Sequence, residues 1–189
     1  GGEIERIVKQ GYIVASPDLS GIGELRPSVR FDAEASFSAI LIGRSIVGIQ
    51  AAEIVGVLNF LRGVPNVTPE DVRAIAFAEE CPALLHAAAF EPSLSNVALV
   101  DAPVSYYNIT QSKMYDFSQS FNWGVAGALT AYDLPDLAAC VVPRKLTFVA
   151  LRNATKEPAS DDVVKKEMGY PESVYAKRAQ GSLQMLPIQ

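Results

Sequence analysis

The stretch "VRAIAFAEECPALLHAAAF" (72–90) brings the chemically capable residue types closest together: two carboxylates, Glu79 and Glu80, a thiol, Cys81, and, five residues further on, the chain's one histidine, His86. A thiol at the start of a helix is activated when the exposed N–H groups favour its anion, and a thiolate is a good nucleophile. Glu79 and Glu80 oppose this, because neighbouring negative charge disfavours a second anion. A carboxylate is itself a poor nucleophile toward esters, so Glu80 cannot simply stand in for an alcohol or thiol. The frame of the stretch is an apolar run, a short turn and an alanine-rich helix. That frame lifts a nucleophile above a parallel sheet when its turn reads Gly-x-Ser-x-Gly. Here the turn is Ala78-Glu79-Glu80-Cys81-Pro82. The glycines that permit a sharp turn are absent, and Pro82 disfavours the helical region for Cys81. A rebuilt turn is expected. The competing roles are plain ones: Cys81 as a small buried residue, the two glutamates as helix-start carboxylates, and His86 as a hydrogen-bonded core residue.

Hydrophobic spacing supplies the elements that must position these residues. Ile4, Ile7 and Val8 predict a short amphipathic helix. "YIVASPDL" (12–19) reads as a buried strand ending at Asp18, before the glycine loop "SGIGELRP". Residues 28–43, including "FSAILIG" (37–43), are ambiguous. Ile46, Ile49, Ile54, Val57, Leu58 and Leu61 keep helical spacing over 45–62, and Gly63 stops the helix. Strands follow at 72–78, 96–104 and 145–151, helices at 82–90, 135–141 and 160–170, and a fifth strand at 172–178. Strands alternating with helices predict an α/β fold, a three-layer α/β/α arrangement with a mostly parallel central sheet. Residues 1–189 read as a single domain.

Bulk composition narrows the function classes. Apolar residues make up 49% and charged residues 20%, too apolar for disorder. The net charge of −5, without a basic stripe, argues against nucleic acid. Two cysteines, Cys81 and Cys140, are too few for a disulfide framework, and with one histidine no metal site is expected. The apolar stretch 46–61 is broken by Gln50, Glu53 and Asn59, so it reads as a buried helix and not a membrane span. A Gly-Gly start without Met is expected of a chain cut from a longer one, or of a tag scar.

Four stretches in order carry a family resemblance. They are "GYIVASPDLSGIGE", "GRSIVGIQAAEIVGVLNFLR", "VRAIAFAEECPALLHAAAF" and "GALTAYDLPDLAACVVPRKL". Together they resemble the acetyl xylan esterase-like branch of the α/β-hydrolase superfamily, over about residues 3 to 178. The resemblance implies a partial α/β-hydrolase fold lacking its N-terminal strands, and no cofactor; the alternation of strands and helices itself implies a sheet covered on both faces. It implies ester cleavage on plant polysaccharides by a Ser-His-Asp triad. The triad does not carry over. Glu80 or Cys81 stands at the elbow, the acid segment "RNATKEP" (152–158) offers Glu157 alone, and no histidine follows residue 175. One oxyanion-hole donor belongs to a segment upstream of Gly1.

The expectation is therefore a degenerate, truncated member with a binding or structural role. Its cleft would be lined by Asp18, Glu79, Glu80, Cys81, Thr155 and Lys156 and roofed by Tyr106, Tyr107, Tyr115 and Trp123. A carbohydrate or ester is the expected ligand, since carboxylates bind sugar hydroxyls. The alternative is a live esterase or dienelactone hydrolase-type enzyme that uses Cys81, or residues supplied by a missing segment or a partner. Two structural expectations follow. Cys81 should be the more reactive thiol, and 12–17 should pair directly with 73–78 to close the gap left by an absent strand. The other route to closure is a strand donated by a second copy, which would make a homo-oligomer.

Overall fold

The computed structural model describes residues 2–26, 34–68, 70–116 and 121–187. Its centre is a four-stranded, all-parallel sheet in the order β1 (Val72–Phe77), β2 (Leu94–Val100), β3 (Lys145–Val149) and β4 (Leu183–Leu186). Helices flank it, so the α/β architecture holds. Before the sheet come α1 (Glu3–Lys9), α2 (Glu34–Leu41) and α3 (Ile46–Leu61). Between and after the strands lie α4 (Cys81–Phe90), α5 (Tyr106–Gln111), α6 (Leu134–Cys140) and α7 (Asp161–Arg178).

Local chemistry sets these boundaries. Ser45 caps α3 by accepting from the Gly48 N–H at 3.0 Å. Asp133 and Asp136 form a reciprocal capping box at the start of α6. Asp161 and Asp162 open α7, and Lys177 and Arg178 close it, both in the sense the helix dipole favours. Arg144 fixes the far end of α4 by donating to the carbonyls of Ala88, Glu91 and Leu94.

Each crossover moves one strand in the same direction, and right-handed crossovers then place their helices on one side of the sheet. Burial agrees. Ala76, Val97, Leu99, Leu146 and Phe148 belong to one core with Leu84 and Leu85 of α4, Leu137 and Ala138 of α6, and Met168 and Tyr175 of α7. The alternate residues of the same strands face the other way. Ile75 and Phe77 stay 54% and 53% exposed there.

Several expected elements differ. Residues 12–19 form no strand, and only Leu19 is buried among them. No backbone bond joins 12–17 to 73–78 among the described residues, nor does another strand lie beside β1. The expected closure assumed buried orphan groups. The outer edge of β1 is instead accessible, so water can satisfy its N–H and C=O groups without a second strand. The segment reaches β1 only through side chains. The Arg73 guanidinium donates to the Tyr12 hydroxyl at 3.0 Å and lies over its ring. "FSAILIG" falls largely in α2.

The expected fifth strand, 172–178, belongs to α7, which runs through Pro171. Packing overrides the strand-like composition. Pro171 and Tyr175 are buried four residues apart, whereas Ser173 and Lys177, which a strand would put on Tyr175's face, are exposed. The last strand is Leu183–Leu186, where Leu183 pairs with Leu146 and Leu186 with Val149.

Tyr175 is 2% exposed, and its hydroxyl donates to the Arg144 carbonyl at 3.1 Å. Tyr175→Ala is expected to lower the unfolding free energy by about 3–5 kcal/mol, as for other large core truncations. Lys177→Ala should stay within about 0.5 kcal/mol of the parent. Urea denaturation followed by circular dichroism measures both.

Candidate functional site

The first three strands all end at the same side of the sheet, each on a non-glycine residue with positive φ: Ala78 at 42°, Asp101 at 60° and Ala150 at 57°. Left-handed backbone costs an ordinary residue about 1–2 kcal/mol. It turns each strand sharply into the loop that carries the candidate side chains.

At the elbow the positive φ lies at Ala78, ahead of the nucleophile position. A 3₁₀ turn, Ala78–Glu80, leads into α4. Glu80 has φ −85° and ψ −12°, and Cys81 has φ −58° and ψ −46°. Neither residue carries the strained backbone that projects a nucleophile. Cys81 adopts the helical region in spite of Pro82, contrary to expectation. Enclosure explains this: every residue of α4 from Cys81 to Ala88 is buried, so packing overrides the local preference.

The Cys81 thiol points into the sheet. Sγ lies 3.4 Å from the Ala76 carbonyl and 3.2 Å from the Val100 carbonyl, and the S–H can donate to either. Burial pushes its pKa up, and the charge of Glu80 pushes it further. The helix-start activation foreseen for this thiol is outweighed. Burial likewise raises the Glu80 carboxyl above the usual carboxylate range, with Glu79 adding to the shift against a backbone hydrogen bond that lowers it.

His86 is locked inside α4. A carbonyl can only accept, so Nδ1 holds the proton and donates to the Pro82 oxygen at 2.7 Å. Nε2 then accepts from the Tyr132 hydroxyl at 2.8 Å. Both ring nitrogens are committed, as the core role required. Burial pushes the histidine pKa down.

The remaining candidates are held by their own loops. Asp18 accepts from the Glu24 N–H at 3.0 Å and lies against Gly23, which orders the glycine loop. A Cβ at Gly23 would fall 2.0 Å from the Asp18 carboxylate. Thr155 donates from its N–H and its hydroxyl to Asn153 Oδ1, both at 2.9 Å. Lys156 pairs with Asp116 at 3.1 Å. Glu79 accepts from the Asn122 amide at 3.3 Å, and the Asn122 carbonyl accepts from Ser36 at 2.8 Å, which ties α2 to the elbow. Of the four aromatic roof candidates, Trp123 and Tyr106 are core residues, while Tyr107 and Tyr115 are exposed.

Sequence reasoning missed Asp101 and Arg152. Asp101 follows β2 directly, and the Arg152 guanidinium donates to its Oδ1 through Nε at 2.8 Å and Nη2 at 2.5 Å. Arg152 also exchanges backbone bonds with Ala102 and Val104, which extends the β2–β3 contact beyond the strands. An apolar run ending in Asp was the available signal for Asp101; nothing local marked Arg152. A depression of about 350 Å³ at the α2–α3 corner is lined by Ile42, Arg44, Ile49, Ala52 and Glu53, none of them a candidate. Among the described residues no cluster of His, Cys, Asp and Glu could hold a metal ion, and no single helix is long and apolar enough to cross a membrane.

With this geometry in view, comparison adds the fold's relatives. No family model matches the chain, and no curated protein sequence does. A solved structure does match: the crystal structure of a "putative acetyl xylan esterase" from Bacteroides fragilis, at a TM-score of 0.71 and 16% identity. The match covers 97% of this chain and 48% of the other. The chain has an esterase-like α/β fold. It spans about half the length of the solved structure it matches.

Two outcomes follow. Cys140 is exposed and Cys81 buried, so thiol labelling with peptide mapping should modify Cys140 at least tenfold faster in the native state, with the two rates converging in urea. His86 is held neutral in the fold, so the unfolded chain binds its proton more readily. Its contribution to stability is whole above the unfolded pKa of 6.5 and falls as pH drops through that value. The melting temperature should therefore fall more between pH 7.5 and 5.5 in the parent than in His86→Gln, as read by scanning calorimetry.

Proposed function

We propose that this chain is a catalytically degenerate, esterase-like domain that serves a binding or structural role. Cys81 carries the reading. The only side chain at the elbow able to act as a nucleophile is buried, kept protonated and directed at two backbone carbonyls. A working elbow presents its nucleophile outward, beside a base that has a free lone pair. His86 has none to offer. Glu80 sits in the other candidate position, half-buried, and a carboxylate is a poor nucleophile toward esters. The same two observations weigh against an enzyme built on Cys81.

On this reading the ligand, where there is one, is a carbohydrate or an ester, as the likeness to the Bacteroides fragilis putative acetyl xylan esterase suggests. The groups that could meet it at the strand ends are Glu79, Glu80, Asp101 and Arg152. Their present hydrogen bonds mostly fix loops, which favours the structural role over the binding one.

Purified chain incubated with p-nitrophenyl acetate should release p-nitrophenol no faster than a boiled control. Turnover well above that control and abolished by a serine-directed phosphonate would overturn the proposal. So would turnover that is lost in Cys81→Ala.

A further inference from the structure

We infer that the corner between α2 and α3 is a binding site for a small aliphatic carboxylate, its anionic head on Arg44 and its apolar tail along Ile42, Ile49 and Ala52. The way the chain turns this corner builds the site. α2 closes in a Schellman motif: the Arg44 N–H donates to the Ala39 carbonyl at 2.8 Å and the Gly43 N–H to the Ile40 carbonyl at 2.9 Å, with Gly43 at φ 72°. Ser45 then caps α3 at once. Two caps back to back fix the backbone of 42–45, and the helices meet at a bend of 93°. Ile42 and Arg44 come from the corner itself. Ile49, Ala52 and Glu53 come from α3, where positions three and four apart share a face. Together the five line the depression of about 350 Å³, a volume within the range of small-molecule sites. Ile49 also packs against the buried cluster of Ala39, Ile46 and Val47, which anchors the apolar part of the lining.

Two charges line the depression, and only one is uncommitted. Glu53 accepts from the Ser20 N–H at 2.8 Å through one carboxylate oxygen and from the Ser20 hydroxyl through the other. Gln50, one turn earlier on α3, donates to the Ser20 carbonyl at 2.9 Å, so Ser20 is held against the helix by both residues. The Arg44 guanidinium is exposed, and it has no hydrogen bond or ion pair among the described residues. A free cation beside apolar surface, with Ile42 69% exposed, is complementary to an amphiphilic anion. A guanidinium takes a carboxylate by two parallel N–H donors. Covering Ile42 and its neighbours removes apolar area from water. An alcohol of the same length lacks the first contribution, and an amine meets Arg44 with like charge. Solvent screens an exposed ion pair, so for a six-carbon chain the dissociation constant should be on the order of 1 mM.

Titration of the ¹⁵N-labelled chain with hexanoate, followed through amide chemical shifts, is the test. Saturable shifts should concentrate at residues 42–53. Hexan-1-ol should bind at least threefold more weakly, and hexylamine more weakly still. Arg44→Gln should raise the hexanoate dissociation constant at least threefold, and Ala52→Phe, which fills the depression, should abolish binding, both with circular dichroism unchanged. Absence of saturable shifts at about 20 mM hexanoate would overturn the inference. Equal affinity for the alcohol, or for hexanoate in Arg44→Gln, would mean apolar adsorption alone and would overturn it too. So would tighter binding of hexylamine, which would assign the depression to Glu53, or shifts centred on Phe77 and Leu186. None of these outcomes depends on whether the chain hydrolyses esters.

Discussion

A parallel strand reaches its neighbour only by a crossover, and a right-handed crossover lays its helix on one fixed side of the sheet. Here three crossovers step the same way across β1, β2, β3 and β4. The core has to form on one face. Val97, Leu99 and Leu146 are fully buried there, while residues one position along the same strands are only partly covered. α3 widens the same helical layer by packing against α4, and its Leu58 joins the core. Among the described residues, the second face and the outer edge of β1 are less covered, with Ile75 and Phe77 about half exposed.

α4 bears the consequences for chemistry. It sits in the middle of the helical layer, between α3 and α6, and is buried from its first residue. Its helix-forming sequence answers to that enclosure: small Ala83, Ala87 and Ala88 allow close approach, and Leu84 and Leu85 fill the core. These residues belong to packing alone. Changing the turn before them, from one that exposes a nucleophile to one that tucks a thiol beneath the sheet's end, leaves their contacts intact. Packing residues and chemical residues are separate here, so the frame alone does not fix the chemistry.

Much of this was legible because it is local. Periodicity marked α3, with Gly63 as its stop, and the alternation of strand and helix marked α4, α6, the start of α7 and the parallel sheet. What failed had been decided at a distance. "YIVASPDL" has the composition of a strand, but a strand exists only by pairing its backbone with another, and no described segment pairs with it. "ESVYAKR" has β-branched and aromatic residues, yet Tyr175 finds its burial one helical turn beyond Pro171. Pro82 argued against a helical Cys81, and the burial of the whole of α4 outweighed it. The core role of His86 was foreseeable; its partner Tyr132, 46 residues away, was not. Asn122 and Arg152 were invisible for the same reason, since their partners lie 43 and 51 residues distant.

The polar groups at the strand ends each hold a partner within the fold. A catalytic group must keep a proton or a lone pair free for substrate, and a binding group must exchange its partner for ligand without losing its loop. Asp101 holds Arg152, and Arg152 holds the Lys156 carbonyl as well as the β2–β3 extension. Lys156 pairs with Asp116, whose own N–H donates to the Ala154 carbonyl of the same loop. Glu79 is tied through Asn122 to Ser36. Each charge therefore closes a link between two segments, and withdrawing it for a ligand would free a loop whose backbone already carries left-handed strain at Ala78, Asp101, Ala150 or Lys156. Strain of that kind persists only where the surroundings over-determine it. At Asp101 and Lys156 the surroundings include the Asp101–Arg152 and Lys156–Asp116 pairs, so withdrawing either charge for a ligand would loosen the loop it joins.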